Sequence, residues 1–112
     1  MTHHPHVPQD IGELLDQLAY MRLASPKFED QTGYLPGRNI DTAFLGLNEG
    51  LLVVRKELGE ERYATLKALS DKMRALFESD TDDMTGDARA GRRLIRDTED
   101  VLKSTAKERR LK

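Results

Sequence analysis

Cysteine is absent from the 112 residues, which removes disulfides, thiolate metal sites, iron–sulfur ligation and a cysteine nucleophile together. A reducing compartment suits such a chain, and a cytoplasmic location is the expectation. Tryptophan is missing too, and aromatics make up only 5% of the sequence, so a base-stacking platform has little to be built from. The three histidines, His3, His4 and His6, all precede the first predicted helix. A body without histidine excludes Ser-His-Asp triads and carboxylate–histidine di-iron sites. No apolar run approaches the roughly 18 to 20 residues of a membrane-spanning helix, so no membrane partner is expected.

The opening residues carry Pro5 and Pro8 and lack the apolar core of a secretory signal, so residues 1–9 are read as a flexible tail. A free amine with histidine at the third position can wrap Cu(II) or Ni(II) in nitrogen ligands, through His3 or, if Met1 is removed, His4. Any chain with early histidines has that property. No metal or cofactor is therefore expected.

Charge is what the sequence has in abundance. Charged residues are 34% of the chain and apolar ones 38%, against about 25% and about 45 to 50% in ordinary domains. That balance suits slim helices with one buried stripe and a broad solvated face, and the length suits a single domain over residues 10–112. The signs are unevenly placed: residues 1–85 hold 9 basic and 15 acidic side chains, residues 86–112 hold 9 and 5. A last segment of +4 can lie against a body of −6, or against a second copy.

Apolar spacing places the helices. Asp10 is positioned to cap a first helix, with Glu13 reaching back as in a capping box, and Ile11, Leu14, Leu15, Leu18 and Met21 form its stripe. Pro26 ends it near Ala24 or Ser25, and residues 26–38, with Gly33, Pro36 and Gly37, read as a loop. A second helix runs to a stop at Gly59 along a heptad seam of Ile40, Phe44, Leu47, Leu51, Val54 and Leu58. Leu66, Leu69, Met73 and Leu76, extended by Tyr63 and Phe77, define a third. Beyond the acidic connection of Asp80, Asp82 and Asp83, a fourth helix extends from about Asp87 towards Arg110. Leu94, Ile95, Val101 and Leu102 are its larger apolar residues, with Ala88, Gly91, Thr98 and Thr105 at the remaining seam positions. Short connections favour antiparallel neighbours. The predicted architecture is an all-α, up-and-down bundle of three to four helices, with dimerisation as a means of completing it.

Candidate chemistry is sparse. A calcium loop starting at Asp80 needs an oxygen ligand fifth and glycine sixth, where Met84 and Thr85 stand, so the segment reads as a hydrophilic connection. Glu57, Glu60, Glu61 and Asp71 read as solvated faces, and no catalytic residue is assigned. Two surfaces remain. Arg89, Arg92, Arg93, Arg96 and Lys103, with Lys107 and Arg110, make a basic stripe on the last helix, read first as a solvated outward face with Asp97, Glu99 and Asp100 near for helix pairs, and otherwise as fit for an acidic protein, for phosphates or for anionic lipid. Net acidity and the lack of interleaved aromatics make nucleic acid the less favoured partner. On the second helix, Leu45, Leu52 and Val53 lie off a seam that is already complete, and Gly46 and Gly50 allow close backbone approach, by the first or fourth helix or, as the rival reading, by a second copy. These five residues are the expected self-association surface. The expectation is a non-enzymatic interaction or regulatory module, a homodimer or the binder of a protein partner. An immunity-type protein that neutralises a basic toxin is the alternative, and a nucleic-acid binder working through the stripe is the third reading.

Overall fold

The computed structural model describes residues 7–28 and 39–110. These form α1 (Ile11–Ala24), α2 (Ile40–Val53), α3 (Arg55–Leu58), α4 (Glu60–Ser79) and α5 (Asp87–Arg110). The fold is the expected all-α bundle, and no strand occurs among the described residues. His3, His4 and His6, and residues 29–38 of the expected loop, lie outside the described residues.

Side-chain caps start α1 and α2. Asp10 Oδ1 accepts from the Glu13 N–H at 2.8 Å, but the Glu13 carboxylate accepts from the Gln9 N–H at 3.1 Å rather than from Asp10, so the box closes one residue early. At α2, Asn39 and Thr42 exchange two bonds of 3.0 Å, a reciprocal cap at which the sequence reading named neither residue. Gly59, at φ 81°, turns the chain from α3 into α4 in the left-handed region that a side chain disfavours.

Packing runs round a ring. α1 lies against α2 and α5, α4 also lies against α2 and α5, and α2 and α5 occupy opposite corners without packing on each other. Of the second helix's predicted seam, Phe44, Leu47, Leu51, Val54 and Leu58 are buried and Ile40 is half-buried. The seam does not belong to one continuous helix, however. Val54 has φ −96° and ψ 9°, and the short α3 departs there in a direction that keeps Leu58 in the core. On α4 the buried line is Leu66, Ser70, Met73 and Phe77, with Leu69 and Leu76 only half-buried at its flank. Ser70 is admitted to the core because its hydroxyl donates to Asn48 Oδ1 on α2 at 2.7 Å.

The α5 seam is Ala88, Gly91, Ile95, Thr98, Leu102 and Thr105, all buried, which confirms the small residues at its facing positions. Thr98 and Thr105 donate back to the carbonyls of Leu94 and Val101 at 2.9 Å, so neither hydroxyl is orphaned. Small residues on one helix make room for a large one opposite: a Cβ at Gly91 would fall 2.7 Å from the Phe77 ring. Phe77 belongs to an aromatic trio, 5.2 Å from Phe28 edge-on and 6.5 Å from Phe44. Phe28 is the unforeseen member, since it follows Pro26 in a stretch read as loop. It is fully buried at φ 59°, and burial of a whole phenyl ring, about 1.5 to 3 kcal/mol, offsets the roughly 1 to 2 kcal/mol of left-handed backbone.

Candidate interaction surfaces

The two helices at opposite corners of the ring carry the two surfaces that packing leaves unexplained. On α2, residues 45, 49 and 53 are four apart and residue 52 is seven from 45, so they share the face opposite the seam. Leu45, Leu52 and Val53 are 47%, 48% and 45% exposed. The core is complete without them, because Phe44, Leu47 and Leu51 already fill the inward face. Exposed Glu49 lies on the same face.

Gly46 and Gly50 are placed elsewhere. Both are buried inside the chain's own fold. A Cβ at Gly50 would lie 2.7 Å from Leu14 Cδ2 and 3.0 Å from Pro8 Cβ, so this glycine lets α1 and the buried Pro8 approach α2. The close approach expected of this glycine spacing is therefore spent within the chain at Gly50, and the outward patch consists of the three branched apolar residues alone.

On α5 the structure sorts the predicted basic stripe into two groups. Arg92 is tied down: its guanidinium donates to both Asp83 oxygens at 3.1 and 3.0 Å and to the Ser25 hydroxyl at 3.3 Å, linking the connection before α5 to the end of α1. Arg89, Arg93, Arg96 and Lys103, joined by Lys107, are exposed and form no ion pair among the described residues. They lie on the face opposite the Ile95 and Leu102 seam. Glu99, read as a solvated partner for these cations, is instead buried and meets Arg22 of α1 at 2.7 Å.

Elsewhere the charged groups hold the fold together. Asp80 is buried at the end of α4, where its carboxylate accepts from the N–H groups of Ala88, Met84 and Thr85 at 3.0, 2.7 and 3.1 Å. Those bonds, Ala88's foremost, hold its pKa down to about 2. Arg62 pairs with Glu108 through two bonds of 2.9 and 2.7 Å, which raises the arginine's pKa. Arg55 does the same with Glu60, lowers that carboxylate's pKa through the shared hydrogen bonds, and stacks 4.4 Å from the Tyr63 ring. Each is an acid neutralised by a cation or by backbone donors, rather than a pair of carboxyls pushed apart in pKa for acid–base chemistry.

Shallow grooves flank Pro26 and Lys27, bordered by Thr81 and Asp82. Among the described residues no cluster of His, Asp or Glu is arranged to hold a metal ion, and no helix is long and apolar enough to cross a membrane. The chain matches no family model, no curated protein and no solved structure.

Proposed function

We propose that this chain is a non-enzymatic interaction module that works as a homodimer, the contact being the outward face of α2. The supporting observation is the exposure of Leu45, Leu52 and Val53 together on one helix whose inward face is already fully packed. Three half-exposed branched side chains on one face carry a hydration cost that a second copy of the same face removes, and a twofold contact supplies an identical surface from the partner.

The absence of cysteine makes the test direct. With Leu52→Cys or Val53→Cys introduced singly, mild oxidation produces a covalent dimer in dilute solution. Leu23→Cys, at a site 86% exposed on α1, does not. Equal cross-linking at all three positions means random collision and defeats the reading.

A further inference from the structure

We infer that the outward face of α5 binds the phosphate backbone of double-stranded nucleic acid without reading its sequence. Arg89, Arg93, Arg96, Lys103 and Lys107 lie along one helix, with 18 residue steps from first to last, about 27 Å at 1.5 Å per residue. A duplex presents one negative charge per about 1.7 Å of its axis, so a rod of cations of that length meets several phosphates at once. Among the described residues these side chains have no ion-pair partner, whereas Arg22, Arg55, Arg62, Arg74, Arg92 and Arg109 are each engaged by a carboxylate. Arg93 and Arg96 have Asp97 and Asp100 four residues on, the spacing of helix ion pairs, and neither pair closes.

Phosphate suits this face better than an acidic protein does. Stable protein interfaces are built round a desolvated apolar or aromatic centre. Among the described residues the large exposed hydrophobic ones are Leu23, Leu45, Leu52, Val53 and Met84, none of them on α5. Backbone recognition of a duplex needs no such centre, because guanidinium and ammonium groups on phosphate supply affinity by releasing counterions. Without aromatics on this face there is nothing to stack on unpaired bases, which sets duplex above single strand. The acidic body turns away from the duplex and presents α5 to it. Because α2 and α5 sit at opposite corners, the surface is independent of the α2 contact, and a dimer carries two copies of it.

The probe is a fluorescently labelled random-sequence DNA duplex, titrated with the full chain at several salt concentrations. Five cations, one offset by Asp100, give about four neutralised phosphates per face and a slope of about −3.6 for log affinity against log salt. Affinity then falls roughly 100-fold between 50 and 200 mM salt. Arg93→Gln with Arg96→Gln halves the slope to about −1.8, and Asp100→Ser tightens binding, with circular dichroism showing that every variant retains its helices. Salt-independent binding, or glutamine variants that bind as the parent does, overturns the inference. So does labelled polyglutamate binding as tightly as the duplex, which assigns the face to an acidic protein instead.

Discussion

The guanidinium of Arg22 on α1 donates to Glu99 Oε1 on α5 at 2.7 Å, joining two residues 77 positions apart in the chain. The carboxylate side chain is 10% exposed and the guanidinium 36%, so the acid depends on the bond more than the base does. Removing the base leaves a buried carboxylate without its partner, whereas removing both leaves two packed helices. Arg22→Ala is expected to destabilise the fold by about 1 to 3 kcal/mol in urea unfolding, and Arg22→Met with Glu99→Leu to recover most of that loss. Equal destabilisation by the single and double replacements contradicts this account of the pair.

At Gly91 two effects oppose each other. Alanine in mid-helix is favoured over glycine by about 1 kcal/mol, yet its Cβ falls 2.7 and 2.8 Å from two ring carbons of Phe77. The ring is held between Phe28 and Phe44 and has little room to retreat. Overpacking prevails, and Gly91→Ala lowers stability by about 1 to 3 kcal/mol. Combined with Phe77→Leu, the same alanine costs less than it does alone, and thermal unfolding of the four proteins in this cycle measures the coupling.

Asp80 makes stability depend on acidity. Its pKa in the folded chain is about 2, below the roughly 3.9 of an unfolded aspartate, so its contribution is complete above about pH 4 and disappears as pH falls towards 2. Melting temperature is expected to drop across that window. In Asp80→Asn, which keeps the shape but not the charge, it is lower at neutral pH and falls less steeply on acidification. Parallel pH profiles for the two proteins contradict the capping role.

Much of this architecture is legible in the spacing of apolar residues. The second helix's seam was readable because each large side chain recurs three or four positions after the last, and α5's because Ala88, Gly91, Thr98 and Thr105 fall in register with Ile95 and Leu102. The break at Val54 leaves that periodicity intact and so leaves no trace in it. Phe28 was hidden because a core residue beyond a helix end obeys no period. Asp80 looked like one acid among several, since the three N–H groups it receives are brought together only by the turn. Glu99 was misread because a carboxylate three or four residues from lysines and arginines has one sequence pattern whether it faces water or Arg22. For the surfaces, spacing located both stripes and pointed to close packing of another helix at Gly50, but it could not separate Arg92 from its neighbours on α5.

The α2 face bears on stability as well as assembly. Because Leu45 and Leu52 are half-exposed and outside the core, Leu45→Glu with Leu52→Glu is expected to change the unfolding free energy of the isolated chain by no more than about 0.5 kcal/mol per site. The parent's melting temperature rises with protein concentration, and the variant's does not.

Light scattering coupled to size exclusion tests self-association most directly. The parent elutes with twice the 12.7 kDa of one chain at micromolar concentration, and Leu45→Glu with Leu52→Glu elutes with the mass of one chain at the same helicity. A parent that stays at 12.7 kDa at the highest attainable concentration contradicts the assignment of α2 as an interface between copies.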